Sequence, residues 1–404
     1  MKKKIIYKNF IQKKHLDSQL EEKFNKDYFR IIKNINVNID TSRNTFHSLS
    51  KKFKLNFEIK DLDKFKKFQT IVLIGMGGSI LGSESIYHFF KDKIKKTFLF
   101  FDNIDESKIQ ELKNKKNLNK VLFIIVSKSG NTVETLSNIL VLKMIKKKSK
   151  NIILISEKND NPLYLLSQEM KLFFIEHKKY IGGRYSVLSE VGLLPACLMG
   201  INISKLRKNI SNHLKNSNKK FMKESSIKLT NLWIKKKFKN LIFINYVPKL
   251  DKFLYWNQQL IAESLGKKGK GFLPLISKAP KDYHSLLQLY LDGPKDKLFY
   301  IFSSDIKDKN KINSKILGKK FNFLNNKSLS EIKTAQKNAL IKTLKKNKIP
   351  FREFKINDFS EQTLGELFSY FILEVAIIGK LGKIDPFNQP AVEQIKIDTK
   401  KILI

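Results

Sequence analysis

One cysteine, Cys197, occurs in 404 residues, so no disulfide can brace the chain internally, and a reducing, cytoplasmic setting is expected. Cys197 falls in the apolar run 193–198 and reads as a core residue. Arginine is almost as scarce: Arg30, Arg43, Arg184, Arg207 and Arg352 are the only five, and the rest of the 79 basic residues are lysine. Acidic residues number 37, leaving a formal charge of +42. That excess does not point to nucleic acid, because base and phosphate forks are built from arginine and these lysines are scattered along the whole length. Lysine on solvated faces is the simpler explanation, and it would help attract anionic substrates. No uncharged apolar run reaches the roughly 18–20 residues of a membrane span; the longest, 70–83, is broken by glycines. Met1 to Lys4 looks like the charged start of a signal peptide, but Lys8 cuts off Ile5-Ile6-Tyr7 before an apolar region forms. No H-x-H, C-x-x-C or H-E-x-x-H pattern occurs, so neither a metal nor another cofactor is expected.

What the chain does contain is an alternation of apolar strands and helices. Residues 1 to about 66 are lysine-rich without strand signals and read as helical segments outside a first sheet. From there, strands are expected at 71–74, 97–101, 121–126, 151–155 and 172–175, with helical spacing between them. Continuous apolar strands separated by helices predict a parallel sheet covered on both faces. A second cycle starts near 240 with strands at 241–244 and 298–302. Ser328-Leu329-Ser330-Glu331 is a capping box opening a helix toward Lys346. Residues 359–379 carry Leu364, Leu367, Phe368, Phe371, Ile372, Val375 and Ile378 on one helical face. Pro390 suits the first turn of a last helix, with Asn388 or Gln389 near its N-cap. The fold class is α/β: two doubly wound parallel-sheet domains with flanking helices. We divide the chain into an N-terminal helical segment (1–66), a first domain (67–205), a second domain (206–385) and a C-terminal helix (386–404).

Two strands run into loops rich in glycine and hydroxyls. Strand 71–74 meets Gly75-Met76-Gly77-Gly78-Ser79, and strand 121–126 meets Ser127-Lys128-Ser129-Gly130-Asn131-Thr132. Such loops leave backbone N–H groups free at a helix N-terminus, where they attract an anion. Two of them can close on one phosphate, with Ser79, Ser127, Ser129 and Thr132 adding donors. The first loop also mimics a dinucleotide fingerprint, but Ile80 stands where the third glycine should be, which argues against nicotinamide. Gln259 and Glu263 lie four apart and share a helical face, with Gly266 able to end that helix. Usually such a pair is only a wet face; beside a glycine-rich loop it can place a general base. Arg184 follows Gly182-Gly183 at a position where a chain so poor in arginine nevertheless uses it. His284 lies in a polar turn and can exchange protons near neutrality, though a lone loop histidine is more often merely exposed. Gln389, Glu393 and Lys396 share one face of the last helix.

Taken together, these blocks resemble the phosphoglucose isomerase (glucose-6-phosphate isomerase) family, with its sugar-isomerase (SIS) fold. The resemblance rests on 75–82, 127–135, Gly182 to Ser186 with Val191 to Pro195, 259–267, 282–293 around His284, and Gln389 to Lys396, in family order. It implies reversible conversion of glucose 6-phosphate and fructose 6-phosphate through a cis-enediol, without a metal. It implies that Gly78, Ser79, Ser127, Lys128, Ser129 and Thr132 cradle the sugar phosphate, and that Gln259 and Gln389 hold hydroxyls or the phosphate. Glu263 is then the base between C1 and C2, Arg184 the cation steadying the enediolate, and His284 with Lys396 the ring-opening pair. It also implies a homodimer in which His284 reaches the neighbour's site, with no nucleic-acid or membrane partner. Ala391 departs from the family's usual glycine, and activity on mannose 6-phosphate is left open. A non-catalytic sugar-phosphate sensor could keep the serine loops while losing the base, the histidine and the last lysine; all three are present.

Overall fold

The computed structural model describes residues 4–41, 43–215 and 219–404, so the charged start Met1–Lys3 lies outside the described residues. Among the described residues, ten strands form two five-stranded sheets. β2 (Thr70–Ile74), β3 (Thr97–Phe101), β4 (Val121–Val126), β5 (Ile152–Ser156) and β6 (Phe173–Glu176) make the first, in the order β3-β2-β4-β5-β6. All its pairings are parallel, with Leu73 opposite Phe100 on one side and Ile124 on the other. β4 is buried at every position, which is why it reads as an unbroken apolar run.

The second sheet takes β1 (Ile5–Asn9), β7 (Asn240–Asn245), β8 (Leu273–Lys278), β9 (Lys297–Ser303) and β10 (Phe351–Ile356), in the order β1-β10-β9-β7-β8. It is parallel except at one edge, where β1 runs antiparallel to β10 with Tyr7 opposite Phe354. This corrects the reading of residues 1–66 as helical segments outside the first sheet. Ile5–Asn9 is a strand of the second sheet, and the helix Ser18–Asn38 packs on the helices Lys219–Lys235 and Glu361–Leu381. Other parts of the segment do reach the first sheet, where Phe65 packs edge-on against Phe173.

The helix Glu361–Leu381 is buried along most of its length and forms the hub of the largest core. The expected capping box is present: Ser328 Oγ accepts from Glu331 N, and Glu331 Oε2 accepts from Ser328 N at 2.8 Å, opening the helix Leu329–Lys346. Cys197 is half-buried at the rim of the core rather than inside it, and burial pushes its thiol pKa up.

Strands β8 and β10 escaped the sequence reading. β10 carries Arg352, Glu353 and Lys355, an unlikely set for an inner strand until the partners are seen. Arg352 is fully buried and donates from Nη2 and Nη1 to Glu374 Oε1 and Oε2 at 2.8 and 3.1 Å. Its guanidinium also stacks over Tyr300 at 4.4 Å. Glu353 pairs with Lys337 at 3.2 Å. Removing one member of a buried pair strands the other charge, at a cost of about 3–5 kcal/mol. Arg352→Met is therefore expected to lower thermal stability strongly, and adding Glu374→Leu should recover much of the loss. A melting temperature for the single variant equal to wild type would contradict this.

Candidate active site

The first anion loop is shaped by close approach of backbones. Gly77 has a φ of +52° and Gly78 lies against the next loop: a Cβ on Gly78 would come within 2.2 Å of the Gly183 carbonyl carbon and 2.4 Å of Arg184 N. Only glycine allows that contact. It brings the turn after β2 beside the 3-10 turn Gly183–Leu188 that carries Arg184. The second loop, after β4, turns at Gly130 with a φ of +65°. Ser129 Oγ donates to Asn131 Oδ1 at 2.8 Å, and Thr132 stands at the N-cap of the helix Val133–Leu142 with no side-chain cap bond. The first-turn N–H groups of that helix thus face the loop.

The helix Asp251–Leu265 follows β7 and packs on the helix Leu81–Phe90 that follows β2. That packing brings the second half's Gln259 and Glu263 over the first half's loops. Arg184 is 3% exposed, and its guanidinium is saturated with acceptors. Nε donates to Ser264 Oγ at 2.8 Å, Nη1 to Glu263 Oε2 at 3.0 Å and to Gln389 Oε1 at 2.8 Å. Nη2 donates to the carbonyls of Pro386 and Asn388 at 2.7 and 3.0 Å. The other Glu263 oxygen accepts from Gln259 Nε2 at 2.9 Å. Gln259 Oε1 is buried without a hydrogen-bond partner, so the site keeps an unmet acceptor for a ligand hydroxyl.

These groups line a cavity of about 250 Å³ with Gly78, Ser79, Lys128, Ser129, Thr132, Gln389 and Lys396. Of the twelve residues singled out in the sequence, ten share this cavity, and two do not. Ser127 is buried one layer back, its Oγ 2.9 Å from Thr132 Oγ1, so it braces the loop rather than facing the cavity. His284 is exposed at the end of the 3-10 turn Lys281–His284, away from the cavity walls. Its turn is anchored by Asp282 Oδ2, which accepts from Lys278 N at 2.7 Å, and by contact of the Tyr283 and Tyr246 hydroxyls. Lys396 is on the exposed helix Glu393–Ile402 and pairs with Glu393 at 2.8 Å.

The sequence reading missed four contributors. Glu157, one residue beyond β5, walls the cavity and lies 3.5 Å from the Lys128 ammonium. Its place at a strand's carboxyl end was a usable signal. Ser264 and Tyr185 stand next in sequence to Glu263 and Arg184 and meet at 2.8 Å behind the guanidinium. Lys267 clamps the 385–388 turn, donating to Asn388 O at 2.7 Å and Asp385 O at 2.5 Å. Partial burial and the nearby Arg184 charge push the Lys267 pKa down. No group of three or more metal-ligating side chains occurs among the described residues, and no helix among them is long and apolar enough to cross a membrane.

Hydroxyl-bearing loops, a carboxylate and a buried guanidinium meet in one cavity of an α/β chain whose two sheets are parallel apart from the β1 edge, the architecture of the SIS fold. The phosphoglucose isomerase family profile matches residues 32–403. The chain is 33% identical to the glucose-6-phosphate isomerase of Methanocaldococcus jannaschii over 352 residues, covering 83% of this chain and 86% of that protein. It is 31% identical to the glucose-6-phosphate isomerase of Mycoplasmopsis pulmonis, covering 96% and 98%. The fold matches the crystal structure of a glucose-6-phosphate isomerase from Chlamydia trachomatis with a TM-score of 0.77 at 18% identity, covering 99% of this chain and 88% of that one. The chain belongs to the phosphoglucose isomerase family and is an aldose–ketose isomerase.

The contact at Gly78 gives a direct check on this geometry. Gly78→Ala must push the anion loop away from Gly183 and Arg184, and a displacement near 1 Å can cost about 100-fold. We expect kcat/KM to fall by about that factor in a folded protein; a value equal to wild type would contradict the loop's role.

Proposed function

We propose that the chain interconverts glucose 6-phosphate and fructose 6-phosphate at this cavity, with Glu263 as the base and no metal. The observation that carries the reading is the Arg184–Glu263 contact at 3.0 Å, set opposite the Ser79, Ser129 and Thr132 hydroxyls in one cavity.

The substrate phosphate lies at the two loops, held by free N–H groups, hydroxyls and the Lys128 ammonium. Anchoring there, remote from the reacting carbons, turns binding energy into orientation. Glu263 removes the proton on C2 of the open-chain aldose and returns it to C1; a positioned carboxylate contributes about 10²- to 10⁴-fold to such a transfer. Negative charge then builds on the enediolate oxygens. Arg184, buried and always charged, is preorganised to stabilise it. Gln259 orients Glu263 through one amide atom and offers Oε1 to a sugar hydroxyl. Gln389 holds the guanidinium from the far side.

Ring opening needs a separate acid and base, which we assign to Lys396 and His284. Because His284 is exposed and does not line its own chain's cavity, it acts in the site of a second copy. The edge strand β8 supports that arrangement: Leu273 and Leu275 are 58% and 39% exposed on it, and Leu289, just after the His284 turn, is 50% exposed. Edges that apolar are covered in stable proteins.

Glu263→Gln is expected to abolish isomerisation nearly completely, by about 10²-fold or more, while a sugar-acid phosphate inhibitor still binds. Near-normal turnover would remove Glu263 from the base role. The shared site has its own test. Glu263→Gln and His284→Ala are each expected to be inactive on cyclic substrate, whereas a dimer mixed from the two would contain one site free of both lesions. Activity should return on mixing unfolded chains and refolding them together. No recovery would place His284 outside the partner's site.

A further inference from the structure

The catalytic cavity uses the carboxyl ends of the first sheet. The second sheet has its own topological reversal: from β7 the chain passes to β8 on one side and to β9 on the other. A ligand crevice is expected outside the strand ends at such a point. One of about 300 Å³ opens there, within the size range of small-molecule sites. It is walled by Tyr246 and Lys249 after β7, Ser303 and Ser304 at the end of β9, and Lys333 and Thr334 on the helix Leu329–Lys346. No residue of the catalytic cavity takes part.

Three features show what the crevice suits. Ser303 is 3% exposed, yet its Oγ has no hydrogen-bond partner. A buried hydroxyl left unpaired is costly, and this one borders the crevice. The first turn of the helix Leu329–Lys346 meanwhile already holds an anion supplied by the chain. Asp308 Oδ2 accepts from Ser330 N at 2.8 Å, and Asp308 N donates to Ser330 Oγ at 3.0 Å. Lys333, one turn further on, has no carboxylate partner among the described residues. Lys249 contacts Asp92 and Lys337 pairs with Glu353, so Lys333 is the wall's uncompensated cation. The crevice therefore combines an unmet hydroxyl, an ammonium without a carboxylate partner and a first-turn N–H, that of Ser330, which already donates to a carboxylate.

We propose that this second-sheet crevice binds the phosphate group of a small phosphorylated molecule, with the Asp308 carboxylate as a tethered competitor. The incoming dianion takes the helix N-terminus from Asp308, pairs with Lys333 and satisfies Ser303. Binding here is separate from turnover, since none of these side chains touches the cavity at Glu263.

Inorganic phosphate is the probe, followed by equilibrium dialysis on the full-length protein, with the equivalents bound per chain compared between wild type and each variant. Lys333→Glu, which reverses the free charge, is expected to lose one equivalent of bound phosphate per chain while isomerase kcat and KM stay at wild-type values. Asp308→Asn, which removes the competitor, is expected to tighten that equivalent by about two- to fivefold, the worth of one charge at a helix N-terminus. Both changes together support the site. If either variant, shown folded by its retained isomerase activity, binds phosphate as wild type does, the proposal is overturned.

Discussion

The Arg184 guanidinium is the joint on which the site depends. It comes from the first half of the chain, yet its donors end on Glu263 and Ser264 of the second half and on the 386–389 turn before the last helix. A buried cation with fewer acceptors would be unstable where it lies. The charge is tolerable because those two segments converge on it, and their convergence fixes the carboxylate relative to the first loop. Lysine could not replace it, having no planar fork to reach acceptors on several sides. This accounts for one of the five arginines in a chain that otherwise uses lysine. Buried Arg352, bonded to both oxygens of Glu374, follows the same logic in the largest core.

From that joint follows the division of labour we propose. In it the first half anchors the phosphate, because its loops end at helix N–H groups. The second half moves the proton, because its helix packs over the helix that follows the first loop. Gly78 sets the distance between anchor and cation by letting two backbones touch. Ser127, Ser264, Tyr185 and Lys267 hold the parts without lining the reacting centre.

The first sheet was legible in the sequence because its inner strands are covered on both faces and so read as plain apolar runs. The second was legible only in part. β10 hides Arg352 and Glu353 by pairing them with Glu374 and Lys337, and those partners are distant in sequence. β8 is an edge strand interrupted by Pro274, and β1 is a short antiparallel addition whose pairing with β10 no local pattern announces. The cavity was legible wherever function is local: glycine–hydroxyl loops, a glutamine and a glutamate four apart, an arginine after two glycines. Ser127 could not be told from Ser129, since which hydroxyl turns inward depends on the loop's exit angle. The displacement of His284 from the cavity came only from the family resemblance, because an exposed polar turn looks the same whether or not another subunit covers it.

The central claim is that one ligand spans from the serine and threonine loops to the Glu263–Arg184 pair. A crystal structure with a five-carbon sugar-acid phosphate, whose carboxylate mimics the enediolate, tests it most directly. The phosphate should lie about 3 Å from the Ser129 and Thr132 donors, with Glu263 and Arg184 at hydrogen-bond distance from the acid end. A ligand seated in those loops with its acid end out of reach of Glu263 in every subunit would contradict the account.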